Sequence, residues 1–147
     1  MKSVCVFCGS AEGKNPQFVA QAEILGKLMA NQNIELIYGG SQRKTIMSQL
    51  SEGFIALPGG FGTLEELCEI PTWRQLGLIH APIGILNTNG YYDYLHQLFA
   101  HMTVNGLLKK VNFDFVIWET DPARLLDKMV GAASELSARK PSGLSKS

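Results

Sequence analysis

Short apolar runs alternate with helix-patterned segments along almost the whole chain, and this alternation constrains the fold more than any other feature. Runs of strand length lie at Ser3–Gly9, Glu35–Tyr38, Gly53–Leu57, Ile83–Leu86 and Phe113–Trp118. Between them, apolar residues recur at the three- and four-residue spacing of one helix face. Strands and helices that alternate in this way are typical of βαβ units. The sequence therefore predicts an α/β fold, with a parallel sheet flanked by helices on both faces.

Prolines and capping residues set the predicted helix boundaries. Helices are expected at Pro16–Asn31, at Arg43–Leu50, from Thr63 onward, at Tyr91–Asn105, and after the N-cap pair Asp121-Pro122. Pro71 is expected to kink or restart the third helix, because proline lacks the N–H group that the preceding turn would use. No linker divides the chain, so residues 1–137 form one predicted domain and residues 138–147 a flexible tail.

Composition excludes several classes of function. The chain has 147 residues, and 46% hydrophobic with 18% charged residues is apolar enough for a folded domain. Thirteen lysines and arginines balance thirteen acidic residues, so no basic field attracts nucleic acid or anionic lipid. No run approaches the ~20 apolar residues of a membrane span, and the N-terminus does not read as a signal peptide. We expect a cytoplasmic protein whose partners are small molecules or other proteins.

The cysteines and histidines point to structural roles. Three cysteines are an odd number for a disulfide scaffold, so we expect free thiols. Cys5 and Cys8 form a C-x-x-C, but they lie in a strand-like run where residues i and i+3 face opposite sides. Buried core thiols are therefore favoured over a redox or zinc site. The three histidines lack metal-ligand spacing and are expected at the surface: His80, His96 and His101.

The segment Pro58–Glu66 carries the strongest chemical signal. A strand, a glycine-rich turn and a helix follow one another here, an arrangement that presents backbone N–H groups to an anion at the positive end of the helix dipole. The glycines, Gly59, Gly60 and Gly62, would let the backbone approach a ligand and adopt positive φ, and the Thr63 hydroxyl would add a hydrogen bond to a phosphate. The loop matches neither a Walker A motif nor G-x-G-x-x-G.

A second interpretation of the same residues is a capping box. Thr63 would then be the N-cap, and Glu66, three residues later, would close the start of the helix. This interpretation explains two residues and leaves the three glycines unexplained. We therefore favour phosphate binding, although both interpretations can hold for Thr63.

The segment Pro58–Glu66 also resembles the P-G-G-x-G-T-x-x-E signature of the LOG family, the cytokinin riboside 5′-monophosphate phosphoribohydrolases. The resemblance extends from Cys5 to about Met129 and includes further matches: Cys5–Ser10, Ile37–Gly40, Arg43-Lys44, Thr72-Trp73, Gln75–Gly77, Leu86-Asn87 and Gly90–Asp93. Such proteins have often been labelled lysine decarboxylases. That reaction normally needs pyridoxal phosphate on a Schiff-base lysine, and no lysine here is framed for it, so we discount the label.

The resemblance implies hydrolysis of the N-glycosidic bond of a purine nucleoside 5′-monophosphate to free base and ribose 5-phosphate. It also implies a Rossmann-like sheet, a reaction without cofactor or metal, and a homodimer with pockets near the subunit interface. The apolar helix face formed by Leu95, Leu98, Phe99 and Met102 suits either such an interface or the core.

Roles for individual residues follow from the resemblance. The 5′-phosphate would lie on the backbone of Gly60, Phe61, Gly62 and Thr63, with Gly59 and Gly40 beside it. Glu66, on the first turn of the helix, would face C1′, stabilise the oxocarbenium-like transition state and take a proton from water. Arg43 would orient Glu66 or assist departure of the base. Glu65 would be a ribose or structural partner, and Lys44 is a weaker candidate for the site.

In a rival hypothesis, the protein binds a ligand with the same glycine loop but catalyses no reaction. Relatives that bind molybdenum cofactor suggest a carrier of a nucleotide or phosphorylated cofactor, and the fold does not decide between carrier and enzyme. A carrier has no need of a carboxylate that faces C1′. The presence of Glu66 and Arg43 therefore favours the enzyme.

One departure from the family lies between Ser41 and Gln42. Family members carry a glycine-rich loop, a helix and at least one more strand here, roughly 30 residues or more, as in one βαβ unit. Either the natural polypeptide has residues that this sequence omits, or the chain is a deletion variant. We favour omission, because removal of a central strand would open the interior of the sheet.

Overall fold

Five short parallel strands form one sheet. In the computed structural model, which describes residues 1–38 and 49–139, these strands are β1 (Ser3–Phe7), β2 (Glu35–Ile37), β3 (Phe54–Ala56), β4 (Ile83–Leu86) and β5 (Val116–Glu119). Their order across the sheet is β2-β1-β3-β4-β5, and every neighbouring pair is parallel. The predicted α/β class is confirmed.

Helices connect the strands. The described helices are α1 (Gln17–Asn31), α2 (Phe61–Gln75), α3 (Asp93–Val104), α4 (Lys110–Asp114) and α5 (Pro122–Ala138), and a 3₁₀ turn spans Thr88–Gly90. None of the helices in the described ranges is long and apolar enough to cross a membrane.

The sheet buries a separate apolar cluster on each face. On one face, Leu25 and Met29 of α1 pack with Leu125, Leu126 and Met129 of α5 against the sheet. On the other face, Leu67 and Ile70 of α2 are buried in a second cluster, against which Leu95 and Phe99 of α3 pack. Burial of apolar surface on both faces is what holds a parallel sheet of this type together.

The start of α5 follows the sequence prediction. The Asp121 side chain accepts a hydrogen bond from the Arg124 N–H at 2.9 Å, and Pro122 is the first helical residue. Gly84 in β4 lets the helix approach closely, since a Cβ there would lie 2.8 Å from both Leu125 Cδ1 and Met129 Sδ. The helix continues through Ala138, and residues 140–147 lie outside the described residues.

Some predicted boundaries were wrong. The last strand begins at Val116, and Lys110–Asp114, which covers Phe113, is a short helix. The second described helix begins at Phe61, two residues before the predicted start, and continues through Pro71 without a restart. Of the predicted helix Arg43–Leu50, only Gln49 and Leu50 lie among the described residues.

The described strands also bear on the segment missing between Ser41 and Gln42. Omitted residues were expected because loss of a central strand would open the interior of the sheet. In the structure β1 pairs directly with both β2 and β3, so the five described strands form an unbroken sheet. Pairing among the described strands does not test the omission of residues between Ser41 and Gln42, which stays a prediction.

Candidate functional site

The glycine loop lies where the chain reverses its direction across the sheet. From β1 the chain moves outward to β2, whereas from β3 it moves the other way to β4. In open parallel sheets, ligands bind outside the carboxyl ends of the strands at this kind of switch point. The loops after β1 and β3 meet here, and the Gly9 N–H donates a hydrogen bond to the Pro58 carbonyl at 3.3 Å.

Gly59 is required by packing within the protein. A Cβ at this position would lie 2.2 Å from Thr63 Oγ1 and 2.8 Å from the Gly9 backbone nitrogen. No side chain fits at such distances. Gly59 therefore lets the two loops and the start of α2 pack directly against one another.

Packing within the protein does not require glycine at positions 60 and 62. A Cβ at either position would have no neighbour within 4 Å, so both face open space. None of the three loop glycines has positive φ, and the expectation of positive φ was wrong. Neither packing nor a positive φ requires glycine at these two positions, and their lack of a side chain leaves the space above the loop open.

Helix α2 begins at this loop, and its first amides face the same space. Gly60 is the N-cap, no side chain caps the helix, and the Leu64 N–H donates to the Gly60 carbonyl at 3.0 Å. The amides of Phe61, Gly62 and Thr63 precede the first intrahelical donor and have no acceptor within the helix. Amides of this kind at a helix N-terminus are able to donate hydrogen bonds to an anion.

The capping-box interpretation is wrong. Thr63 is the third helical residue and is only 3% exposed, because its side chain packs beneath the loop against Gly59. Phe61, by contrast, is 94% exposed at the first helical position. The Thr63 hydroxyl is therefore engaged in packing beneath the loop and does not cap the helix.

The two glutamates of the motif lie one turn further along α2. Thr63, Leu67 and Ile70 form the buried face of the helix, and Glu66 lies at its border, half-buried, whereas Glu65 is exposed. Glu66 was predicted on the first turn of the helix. It lies on the second turn, because the helix begins two residues earlier than predicted, at Phe61. Gly62 and Glu66 are four residues apart, so they share one side of the helix about 6 Å apart along its axis.

The Glu66 carboxylate affects a thiol in the sheet. Burial raises the pKa of Cys5 in β1 to about 12, and the negative charge of Glu66 contributes to this rise. The Glu66 charge is therefore close enough to β1 to act on a buried group there. Cys5 is buried as expected, but Cys8 is exposed, because β1 ends at Phe7. The expectation of a buried Cys8 was wrong, and the expectation of free thiols is confirmed.

The raised pKa of Cys5 predicts a loss of stability at alkaline pH. A thiol in the unfolded chain ionises near pH 8.5–9, whereas Cys5 in the folded state stays protonated to about pH 12. The folded state then binds more protons, so the free energy of unfolding should fall as pH rises from about 9 toward 12. Urea unfolding of wild type and Cys5→Ala at pH 8 and pH 10.5 measures this. An equal loss in both proteins would contradict the assignment to Cys5.

The loop after β4 supplies functional candidates that the motif alone did not reveal. The Tyr91 hydroxyl donates to the Gly59 carbonyl at 2.6 Å, and the Tyr92 hydroxyl donates to the Leu57 carbonyl at 2.7 Å. The match of Gly90–Asp93 to the family was the only sequence signal for these residues. Their contacts bridge more than thirty residues of chain, so local patterns could not show them.

Several predicted site residues lie outside the described residues: Gly40, Arg43 and Lys44.

Among the histidines, His80 and His101 are exposed as expected. His96 is half-buried, with its ring edge-on to Trp118 at a centroid distance of 4.8 Å, so its surface assignment was wrong. Within residues 1–38 and 49–139, no group of three or more His, Cys, Asp or Glu side chains is placed to hold a metal ion.

Comparison with solved structures supports the fold. The solution structure of BlsM superposes with a TM-score of 0.51 over 99% of this chain and 98% of that chain, at 14% identity. At this identity the likeness concerns the fold alone.

Curated relatives are more similar in sequence. The chain is 30% identical to the probable cytokinin riboside 5′-monophosphate phosphoribohydrolase LOG4 of Oryza sativa subsp. japonica, over 91% of this chain and 79% of that protein. It is also 30% identical to the cytokinin riboside 5′-monophosphate phosphoribohydrolase LOG3 of Arabidopsis thaliana, over 87% of this chain and 81% of that protein.

These alignments are longer than the stretch of this chain that they cover. Ninety-one per cent of 147 residues is about 134, so about 47 of the 181 positions aligned with the rice protein have no counterpart here. The Arabidopsis alignment has 175 positions against about 128 residues of this chain, which leaves the same difference. The segment expected between Ser41 and Gln42 was roughly 30 residues or more, and a difference of about 47 positions is large enough to contain it.

A family model covers nearly the whole described chain. The model is described as possible lysine decarboxylase, and it matches residues 4–129. This range contains the five strands, the glycine loop and the loop after β4. Together with the LOG-named relatives, the match shows that the chain belongs to the LOG family, whose family model carries the description possible lysine decarboxylase.

Proposed function

We propose that the chain hydrolyses the N-glycosidic bond of purine nucleoside 5′-monophosphates, which gives free base and ribose 5-phosphate. The observation that carries the proposal is the open space over Gly60 and Gly62, next to the first amides of α2 and one helical turn from Glu66. The relatives named as cytokinin riboside 5′-monophosphate phosphoribohydrolases support the same reaction.

The 5′-phosphate binds at the start of α2. The backbone N–H groups of Gly60, Phe61, Gly62 and Thr63 donate to its oxygens, and the positive end of the helix dipole stabilises its negative charge. A phosphate oxygen can approach these amides closely because neither glycine carries a Cβ. The phosphate then fixes the ribose relative to the helix.

Glu66 supplies the carboxylate at the reacting carbon. Breaking the bond between C1′ and the base leaves positive charge on the ribose ring, and a nearby carboxylate stabilises this charge. The same group accepts a proton from the water that attacks C1′, whose OH forms the new bond to C1′, and passes this proton on to the departing base, which regenerates the carboxylate. Half-burial at the border of the helix strengthens these electrostatic effects relative to bulk water.

Other residues enter the proposal from the resemblance. Arg43 orients Glu66 or assists departure of the base, as its planar guanidinium suits a carboxylate. Lys44 and Gly40 adjoin the nucleotide, and Glu65, which is exposed beside Glu66, binds the ribose.

The proposal includes a homodimer in the cytoplasm. Leu95 and Phe99 of α3 pack on the core, whereas Tyr94 and Leu98 are exposed one helical turn apart on another face of the same helix. An exposed apolar stripe of this kind suits a subunit interface. Free thiols are consistent with a reducing compartment.

Chromatography of reaction products tests the proposal. Purified protein is incubated with AMP or with isopentenyladenosine 5′-monophosphate without added metal, and free base and ribose 5-phosphate are measured. We expect both products in equal amounts, and the faster substrate identifies the preferred base. Adenosine is the control, and its hydrolysis should be at least about 10²-fold slower, because it lacks the charged group that binds the amides.

Intact mass and circular dichroism accompany the assay. A mass of 16.1 kDa shows that the protein tested is this chain, and a heavier species shows that the natural polypeptide has additional residues. Failure of a folded 16.1 kDa protein to release base from either nucleotide would rule out the enzyme for these substrates. Binding of AMP without turnover would favour the carrier.

A further inference from the structure

Two adjacent tyrosines after β4 hold the loop that enters α2. The Tyr91 hydroxyl donates to the Gly59 carbonyl at 2.6 Å, and the Tyr92 hydroxyl donates to the Leu57 carbonyl at 2.7 Å. The carbonyl between them, that of Pro58, accepts instead from the Gly9 N–H. Three successive carbonyls are therefore held by hydrogen bonds. Two accept from tyrosines of the loop after β4, and one accepts from the loop after β1.

The turn that delivers the tyrosines is itself braced. The Asn87 side chain accepts a hydrogen bond from the Tyr92 N–H at 2.6 Å and donates to the Asp93 carboxylate at 2.7 Å. Gly90 has a φ of 70°, and a Cβ there would lie 2.5 Å from the same carboxylate. Hydrogen bonds within the turn therefore fix the backbone at Tyr91 and Tyr92 independently of the contacts that their hydroxyls make with the glycine loop.

The two tyrosines differ in their surroundings. Tyr92 is 5% exposed, and its hydroxyl satisfies the carbonyl of buried Leu57 inside the core. Tyr91 is 44% exposed, and its ring lies between the rings of Phe18 and Tyr92 at centroid distances of 5.5 and 4.8 Å. A hydroxyl and a carbonyl in this half-exposed place could both bind water, so burial does not explain why they bind each other.

Peptide geometry connects the Tyr91 hydroxyl to the ligand space. The Gly59 carbonyl and the Gly60 N–H belong to one trans peptide unit, so they point in opposite directions. Fixing the carbonyl toward Tyr91 therefore fixes the N–H on the far side. The neighbouring peptide planes are held through the Pro58 and Gly60 carbonyls, which accept from the Gly9 and Leu64 N–H groups. Among the described hydrogen bonds, the one from Tyr91 acts on the Gly59–Gly60 peptide plane itself.

We propose that Tyr91 is a positioning residue for substrate, whose hydroxyl holds the Gly59 carbonyl and so aims the Gly60 N–H at the phosphate of the bound nucleotide. The inference rests on the proposed function, because it assigns that phosphate to the glycine loop. It gives Tyr91 a role in substrate affinity and Tyr92 a role in stability.

Matched phenylalanine variants test the inference. Tyr91→Phe keeps the ring contacts and removes only the hydroxyl. We expect the Kd for ribose 5-phosphate, measured by calorimetry, and the KM for AMP to rise by about 3- to 10-fold, as for one loosened hydrogen bond. kcat and the thermal midpoint should stay unchanged. Tyr92→Phe should lower the thermal midpoint and change the Kd less than Tyr91→Phe does.

Ribose 5-phosphate binding needs no turnover, which separates the two proposals. Wild type that binds ribose 5-phosphate but releases no base from AMP would refute the proposed function, and a raised Kd in Tyr91→Phe would still support the inference. An unchanged Kd in Tyr91→Phe, or no binding by wild type, would overturn it. A lower thermal midpoint in Tyr91→Phe with unchanged KM would also overturn it, because the role would then be structural.

Discussion

Replacement of Glu66 by glutamine is expected to reduce base release from AMP by about 10²- to 10⁴-fold, the usual contribution of a general base. Glutamine has nearly the same shape but carries no charge and accepts no proton from water. The amides at the start of α2 are untouched, so affinity for ribose 5-phosphate should change little. Product chromatography and calorimetry on the same preparation measure both quantities.

Glu65→Gln is the matched control for this prediction. Glu65 has the same side chain and is the next residue, but it is exposed and points about 100° away around the helix. We expect its loss to reduce base release by less than about tenfold, as for a partner in ribose binding. If Glu66→Gln kept more than a tenth of wild-type activity, Glu66 would not be the carboxylate that acts at C1′.

Replacement of Gly62 by alanine is expected to weaken phosphate binding strongly without loss of stability. The added Cβ meets no protein atom, and alanine favours a helix over glycine by up to about 1 kcal/mol. Helical Cβ atoms point toward the N-terminus, where the phosphate would lie. Loss of two charge-assisted hydrogen bonds would raise the Kd for ribose 5-phosphate by about 10²-fold or more. Calorimetry and urea unfolding measure affinity and stability.

Gly59→Ala gives the opposite result for stability and serves as the comparison. Its Cβ would overlap the Thr63 side chain and the Gly9 nitrogen, so the loop must shift at a cost of about 1–3 kcal/mol. We expect a lower urea midpoint, unlike that of Gly62→Ala. Undiminished affinity for ribose 5-phosphate in Gly62→Ala would show that the ligand does not lie over this position.

The sequence was sufficient for the sheet and for the position of the loop. β4 was predicted at its observed bounds, because Ile83–Leu86 is a short apolar run with turn residues after it. Asp121-Pro122 marked the start of α5 for an equally local reason, a side-chain cap followed by a proline. Near β5 the same approach failed, since the run from Phe113 is apolar in both its helical and its strand part.

The glycine motif shows most clearly where prediction from the sequence stops and tertiary contacts decide. Its three glycines look alike in sequence, but packing requires one of them and leaves the other two free. The capping box had the right residue types at the right spacing. It did not form, because Thr63 packs beneath Gly59 and the helix begins at Phe61. Contacts between loops decided both outcomes.

The sequence by itself determined the alternation of strands and helices, the glycine loop before a helix, and a carboxylate within that helix. These features depend on residues close together in the chain, whose spacing fixes which side chains share a face. Only the tertiary structure decided which glycines face open space, that the Glu66 charge acts on Cys5, and that Tyr91 holds the Gly59 carbonyl. Such contacts arise when distant loops meet at the switch point of the sheet, and no local pattern encodes their distances.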